Sequence, residues 1–316
     1  MKNFSGYKKG VNLGGWLSQC DHTKERYDTF IKKEDIEKIS SWGADHVRLP
    51  VDYELLETEG GIPEDSGFAY IDKAAEWCRE FGLNMIIDLH KTAGYSFDKG
   101  ENESGFFESK ELQERFCRLW ERIAERYGKC SERISFELLN EVTDKSFCEA
   151  WNRIVKMCIE RIRKIAPDTV ILVGGYWNNS PEAVKDLDPP YDDKVVYNCH
   201  CYDPLNFTHQ GAQWVDDMAP DFRIRYSECD LSPEYFVGRF KEALETAEKN
   251  GTVLYCGEYG VIENAANEDV LEWYKAINTA FEQLGISRAV WSYKEMNFGL
   301  SDARLEGVID ELIKYL

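Results

Sequence analysis

Short apolar runs rich in β-formers alternate with amphipathic helical stretches along the whole 316-residue chain. Eight runs predict strands: Lys9–Leu13, His46–Val51, Asn84–His90, Ile134–Glu141, Thr169–Gly174, Val195–Tyr202, Thr252–Tyr259 and Arg288–Tyr293. Helical patterns with start and stop signals lie between them, at Phe68–Phe81, Ser109–Tyr127, Lys145–Ala166, Ser232–Gly251 and Asn267–Leu284. Such strict alternation predicts parallel strands joined by right-handed crossovers.

Eight strands, each followed by a connection long enough for a helix, favour an α/β fold of the (β/α)8 TIM-barrel type, with residues 1–316 forming a single domain. The alternative is an open doubly wound sheet, which usually carries a glycine-rich phosphate turn after its first strand. Here that turn reads Asn12-Leu13-Gly14-Gly15-Trp16, without the required glycine spacing, so nucleotide binding is discounted. The longest irregular segment, 203–231, follows the sixth strand and is expected on the active-site face.

The balance of charge restricts the partners that the chain can bind. Asp and Glu number 58 against 38 Lys and Arg, which gives a formal net charge of -20. That charge disfavours nucleic acid and anionic membranes as partners. No stretch of about 18 apolar residues and no signal-peptide pattern is present, which predicts a cytoplasmic protein, with a secreted mature form as the alternative. Ten cysteines without a C-x-x-C pair are expected to be reduced thiols, and the protein is expected to be a monomer.

Barrel enzymes collect their catalytic side chains at the carboxyl ends of the strands. Polar and aromatic residues that lie in or end the predicted strands are Arg48, Asp88, His90, Asn140, Glu141, His200, Tyr202, Glu258 and Trp291. Glu141 and Glu258 end strands four and seven, 117 residues apart, so the barrel brings them to one mouth. Two carboxyl groups facing each other across a cleft are what glycoside hydrolysis requires. A salt bridge is the alternative explanation for either glutamate alone.

A set of ordered motifs resembles glycoside hydrolase family 5, and within it the compact single-domain bacterial endo-β-1,4-glucanases. The motifs are Gly10–Trp16 (GVNLGGW), His46–Pro50 (HVRLP), Phe136–Glu141 (FELLNE), His200-x-Tyr202, Gly257–Gly260 (GEYG) and Trp291. Leu-Asn-Glu alone is a weak signal, whereas the ordered set is specific. The resemblance covers the chain from Gly10 to the terminal helix.

This resemblance implies a retaining hydrolysis of β-glucan, with Glu141 as the acid/base, Glu258 as the nucleophile and no metal or cofactor. The two carboxyl groups are then expected about 5 Å apart. Arg48 and Tyr202 are expected to hold Glu258 ionised, and Asn140 to bind the sugar 2-hydroxyl. His90 and His200 are expected to line the cleft, with His200 the neighbour of Glu141.

Aromatic rings can stack on the apolar face of a pyranose. Trp291 is the predicted platform under the sugar that is cleaved, and Trp16, Trp177 and Trp214 are further candidates. The remaining tryptophans fall in helical patterns and are assigned to the core: Trp42, Trp77, Trp120, Trp151 and Trp273.

The sequence leaves the linkage open. An exo-β-1,3-glucanase, a mixed-linkage β-glucanase and a β-mannanase remain alternatives, as does a barrel that binds carbohydrate without catalysis. A metal-dependent hydrolase is disfavoured because only His90 and His200 are suitably placed. Lys91 stands where relatives often carry a second histidine, so the contacts of the neighbouring subsite cannot be transferred from them.

Overall fold

The computed structural model describes residues 3–98, 100–101 and 103–316. Within these residues the strands are β1 (Lys9–Asn12), β2 (His46–Asp52), β3 (Asn84–Lys91), β4 (Ile134–Glu137), β5 (Ile171–Gly174), β6 (Val195–His200), β7 (Leu254–Glu258) and β8 (Ser287–Val290). Each strand pairs in parallel with its neighbours in chain order, and β8 pairs with β1 to close the barrel. The predicted (β/α)8 barrel is therefore confirmed.

Helices cover the outside of the barrel. They are α1 (Lys24–Thr29), α2 (Lys33–Ser41), α3 (Tyr53–Leu56), α4 (Asp65–Glu80), α5 (Lys110–Tyr127), α6 (Cys148–Ile165), α7 (Tyr176–Asn179), α8 (Leu205–Thr208), α9 (Pro233–Lys249), α10 (Asn267–Leu284) and α11 (Ile309–Leu312). The five predicted helices match α4, α5, α6, α9 and α10 within a few residues. Ser109 and Ser232 cap α5 and α9 through their side chains, which satisfies amide groups that a helix start leaves free.

Several local features differ from the prediction, among them β6 and β8, which end at His200 and Val290 instead of Tyr202 and Tyr293. The first connection contains α1 and α2, which are too short to give a clear helical period. After β5 the chain forms only the single turn α7 and a 3-10 helix, Pro181–Asp186, instead of a long helix. Strand β4 ends at Glu137, four residues early, because the backbone leaves the extended conformation before Glu141, whose φ is 29°. Leu138 and Asn140 still bond neighbouring strands through their N–H groups.

Side chains that point into the barrel form layers of different character. Ile86, Leu172, Val196, Tyr255 and Ala289 form a buried apolar cluster, which Phe4 and Tyr7 join. On two of these strands the residue two positions further along is polar and equally buried, namely Asp88 on β3 and Asn198 on β6. Arg48 and Glu137, on the neighbouring strands β2 and β4, are also fully buried. The alternation of a strand therefore places an apolar layer beneath a charged one.

No described helix is both long and apolar enough to cross a membrane. All ten cysteines fall within the described residues and are free thiols. Segment 203–231 contains α8 and a 3-10 turn at Tyr226–Glu228, and it lies beside the mouth of the barrel.

Candidate active site

Arg48 is a buried hub at the carboxyl ends of the strands. Its guanidinium donates to both oxygens of Glu137 at 2.7 and 2.8 Å and to Glu258 Oε1 at 2.7 Å. It also lies 3.0 Å from Asp88 Oδ2. Arg48, Asp88 and Glu137 are entirely buried, so one cation is shared among three carboxyl groups in a region of low polarity. Burial raises the pKa of Asp88 to about 7 and raises that of Glu137, with Arg48 opposing both shifts.

Glu258 accepts hydrogen bonds on both carboxyl oxygens. Arg48 Nη1 donates to Oε1, and the Tyr202 hydroxyl donates to Oε2 at 2.9 Å. An ionised carboxylate can accept both bonds at once, and the guanidinium supplies the opposite charge. Strand β7 ends at Glu258, where the register with β6 shifts and pairs Glu258 with His200. Both carboxyl oxygens of Glu258 are therefore held by donors, one of which is cationic.

Glu141 lies in a different environment. His200 Nδ1 is 2.8 Å from its Oε1, and Asn178 Nδ2 donates to its Oε2 at 2.8 Å. The Tyr95 hydroxyl donates to its backbone carbonyl at 2.7 Å, which fixes the residue at its positive φ. Burial raises the pKa of Glu141, although Asn178, His90 and Arg48 act in the other direction. A carboxyl group with a raised pKa can keep a proton and deliver it.

The distance between the carboxyl groups of the two glutamates distinguishes a retaining from an inverting glycoside hydrolase. Ligand oxygens of Glu141 and Glu258 and a ring nitrogen of His200 all lie within 4.8 Å of one another. Retaining enzymes place their carboxyl groups about 5 Å apart, whereas inverting enzymes need about 6.5 to 9.5 Å to admit a water molecule. The observed spacing fits the retaining arrangement.

Two histidines lie beside these carboxyl groups. His200 lies between the glutamates, 3.6 Å from Glu258 Oε2, and burial lowers its pKa to about 4. His90 Nδ1 lies 2.6 Å from Asp88 Oδ2. Its ring is parallel to that of Trp291, with centroids 5.7 Å apart. His90 lines the cleft and can bind a hydroxyl group, whereas both ring nitrogens of His200 face protein groups, Glu141 and Asn179.

An open cleft of about 580 Å³ contains this chemistry. Its lining includes His90, Phe97, Asn140, Glu141, Asn178, Tyr202, Leu205, Trp214, Glu258, Trp291 and Phe298. Trp291 forms a buried part of the wall, whereas Trp214, from segment 203–231, is about half exposed. Trp177 is also about half exposed and stands beside the lining residue Asn178. The structure thus brings the predicted site residues to one mouth, except Trp16 and Trp177; Trp177 is not part of the lining and packs against Tyr176 and Lys145.

For Trp16, the assignment to substrate binding is wrong. Its side chain is fully buried and its Nε1 donates to the Tyr27 carbonyl at 2.9 Å. The ring stacks on Trp77 of α4, with centroids 6.2 Å apart. After β1 the chain turns at Gly15, with a φ of 75°, and carries Trp16 away from the cleft into the helix layer.

The sequence analysis did not single out five polar residues that shape the site: Asn12, Glu137, Asn178, Asn179 and Asn198. Asn198 on β6 donates to Glu137 Oε1 at 2.9 Å, and Asn12 accepts from Arg48. A charged residue within an apolar strand is a usable signal, because Glu137 in the run ISFELL requires a buried partner. Asn178 and Asn179 lie in a connection whose shape no periodic pattern encodes.

Comparison with known proteins agrees with this geometry. A family model described as cellulase (glycosyl hydrolase family 5) matches residues 6–297. The chain is 56% identical over 283 residues to Cellodextrinase A of Ruminococcus flavefaciens, covering 90% of this chain and 84% of that protein. It is 36% identical to Endoglucanase C of Acetivibrio thermocellus, covering 98% of both.

Solved structures give the same fold. The cellulose synthase subunit Z of Clostridioides difficile superposes with a TM-score of 0.84 at 26% identity, covering 98% of this chain and 99% of that one. A barrel with two carboxyl groups about 5 Å apart at its mouth has the arrangement that retaining glycoside hydrolases use. The chain belongs to glycosyl hydrolase family 5, the cellulase family.

Proposed function

We propose that the protein hydrolyses β-1,4-glucan chains by a retaining double displacement, with Glu258 as the nucleophile and Glu141 as the acid/base. The observation that carries this proposal is the spacing of the two carboxyl groups, whose oxygens lie within 4.8 Å of each other. Their unlike surroundings support the division of roles. Glu258 faces a guanidinium, whereas burial raises the pKa of Glu141.

In the first step a Glu258 oxygen attacks the anomeric carbon while Glu141 gives its proton to the leaving glycosidic oxygen. The carbon–oxygen bond to the leaving sugar breaks, and a covalent glycosyl ester forms on Glu258. In the second step Glu141, now ionised, takes a proton from water as that water attacks the anomeric carbon and releases Glu258. Each half inverts the anomeric centre, so the product retains the starting configuration.

Two neighbouring groups are available to the sugar that is cleaved. Asn140 accepts from Arg48 through Oδ1, and its buried Nδ2 has no hydrogen-bond partner among the residues that the structure describes. A donor in this state, in a residue that lines the cleft, suits the sugar 2-hydroxyl, whose hydrogen bond strengthens in the transition state. His90 uses Nδ1 toward Asp88 and keeps Nε2 for a hydroxyl.

The sugar chain is proposed to stack on Trp291, with Trp214 and Trp177 available further out. A neutral glucan is also compatible with the negative charge of the chain, since it experiences little repulsion. The names of the relatives, a cellodextrinase and an endoglucanase, support cello-oligosaccharides and longer β-1,4-glucans as substrates. We further propose that the protein acts as a monomer, and the ten free thiols support a reducing compartment such as the cytoplasm.

The experiment that tests the substrate assignment is a product profile on carboxymethylcellulose, barley β-glucan, laminarin, mannan and purified cello-oligosaccharides. We expect internal cleavage of the first two and rapid cleavage of cellotetraose. Preferential hydrolysis of laminarin or mannan would contradict the β-1,4-glucan assignment, and release of single terminal sugars would contradict internal cleavage.

The nucleophile is tested by Glu258→Gln, which keeps the size of the side chain. We expect kcat to fall by at least about 1,000-fold while binding of cellotetraose persists. The exposed Glu245 of α9 provides a matched control, because Glu245→Gln removes the same charge far from the cleft. Substantial residual turnover in Glu258→Gln would contradict the assignment.

A further inference from the structure

The turn that follows β5 has an unusual backbone. Trp177, Asn178 and Asn179 have φ values of 50°, 56° and 57°, so three consecutive residues other than glycine are left-handed. Side chains rarely adopt this conformation, and asparagine tolerates it better than most residues. Strain of this kind persists where the surrounding structure enforces it, and it is concentrated at functional sites.

The contacts of this turn converge on Glu141. Asn178 Nδ2 donates to Glu141 Oε2 at 2.8 Å, and the Asn178 backbone N–H donates to the Val142 carbonyl at 3.0 Å. Asn179 Nδ2 lies 3.4 Å from His200 Nε2, and Nδ1 of the same ring lies 2.8 Å from Glu141 Oε1. The turn therefore holds one carboxyl oxygen directly and the other through an imidazole.

We propose that Asn178 is a positioning residue for Glu141, whose amide orients the carboxyl group and stabilises its ionised form. This inference rests on the proposed role of Glu141 as the acid/base. An amide N–H can only donate, so its bond to Oε2 becomes stronger when Glu141 gives up its proton. The strain in the turn is offset by these contacts, since a right-handed backbone would point the Asn178 side chain elsewhere.

The direction in which Asn178 shifts the pKa of Glu141 follows from this contact. Burial raises the pKa of Glu141, and the Asn178 bond lowers it, which limits the rise. The other titratable and charged groups around Glu141 are Arg48, Asp88, His90, Tyr95, His200, Tyr202 and Glu258. None of them is altered when Asn178 is replaced. A change in the titration of Glu141 in such a variant is therefore attributable to the lost amide.

The test compares Asn178→Gly and Asn178→Asp with the unaltered enzyme. Glycine adopts the left-handed backbone without strain and removes the side chain together with its amide. Aspartate keeps the shape and places a second carboxyl group beside Oε2. The measurement is the pH profile of kcat/KM for cellotetraose and for 2,4-dinitrophenyl β-cellobioside. The second substrate has a leaving group that needs little help from an acid.

The basic limb is the fall of kcat/KM as the pH rises. For Asn178→Gly with cellotetraose we expect this fall to occur at a pH higher by about 0.5 to 1 unit, which corresponds to the loss of one hydrogen bond to a carboxylate. We expect kcat/KM for the activated substrate to change by less than about 2-fold. Asn178→Asp should shift the limb further. An unmoved limb in Asn178→Gly, or equal losses on both substrates, would overturn the proposal.

Glu141→Gln separates this inference from the proposed function. If that variant loses the basic limb while Asn178→Gly leaves the limb in place, Glu141 is the acid and only the role of Asn178 is wrong. If Glu141→Gln retains the basic limb, the assignment of the acid itself fails, and the role of Asn178 fails with it. Thermal unfolding of each variant shows that the comparison is made on folded protein.

Discussion

His200 lies between Glu141 and Glu258, with Nδ1 2.8 Å from a carboxyl oxygen of the first and 3.6 Å from one of the second. Burial keeps this imidazole neutral at ordinary pH, since its pKa is lowered to about 4. A neutral ring can hydrogen-bond to the acid without fixing it in the charged form, as an imidazolium would. The two glutamates are both buried and close together, but Glu258 is held by Arg48 and Tyr202 and Glu141 by Asn178 and His200, which is the basis for their separate roles.

The pH dependence of activity is expected to follow Glu141. Its raised pKa means that the protonated form, needed in the first step, persists above the usual range for a glutamate. Activity that depends on this proton is present below the folded-state pKa and is lost as the pH rises through it. The pH profile of kcat/KM for cellotetraose checks this expectation. A profile with no basic limb would contradict it.

Replacement of Arg48 is expected to affect stability as well as activity. Arg48→Met removes the cation shared by Asp88, Glu137 and Glu258, and it leaves buried carboxyl groups without a counter-charge. We expect the free energy of unfolding to fall by about 3 to 5 kcal/mol, as measured by urea denaturation at pH 7. Arg118→Met is the control, because the ion pair of that residue with Glu114 lies at the surface and should contribute little. Equal effects of the two substitutions would contradict the account.

Two tryptophans that the sequence grouped together should respond differently. Trp16→Phe removes a buried hydrogen bond to Tyr27, so we expect a loss of about 1 to 3 kcal/mol in stability with unchanged kcat/KM. Trp291→Ala removes a wall of the cleft, so kcat/KM for cellotetraose should fall by about 10-fold to 100-fold. Unfolding curves and initial rates on both variants check this. An increase in KM for cellotetraose in Trp16→Phe would show instead that Trp16 contributes to substrate binding.

Treatment with EDTA is expected to leave activity unchanged. Glu141, His200 and Glu258 are close enough to hold a metal ion. In the proposed mechanism, however, catalysis depends on proton transfer from Glu141 and on a covalent bond to Glu258. A cation bound there would occupy the carboxyl groups that must react. Rates on cellotetraose before and after dialysis against EDTA are the measurement. Loss of activity that one divalent metal restores would contradict the mechanism.

Much of this site could be predicted because strand ends are encoded locally. Glu141 and Glu258 close apolar runs, and a closed parallel barrel brings such ends together whatever the loops do. The pairing of Arg48 and Tyr202 with Glu258, and of His200 with Glu141, is expected from the resemblance to glycoside hydrolase family 5. Arg48, His200 and Glu258 lie on strands, where the two-residue period fixes the direction of the side chain. Glu141 and Tyr202 lie beyond the ends of β4 and β6.

The residues that could not be predicted depend on turns. Trp16 follows Gly15, and the direction of that turn decides whether the indole faces the cleft or the helix layer. Asn178 reaches Glu141 only because its backbone is left-handed, and no pattern of hydrophobic residues reports such a conformation. Glu137 is a different case, since its position within an apolar strand already called for a buried partner.

The most direct test of the central claim is the covalent intermediate itself. A 2-deoxy-2-fluoro cellobioside with a reactive leaving group slows both steps but allows the first to proceed, so the sugar accumulates on the nucleophile. Mass spectrometry of the digested protein then locates the label. The account predicts one fluorocellobiosyl group on the peptide that contains Glu258. A label on Glu141, or no covalent adduct while the enzyme still turns over cellotetraose, would contradict it.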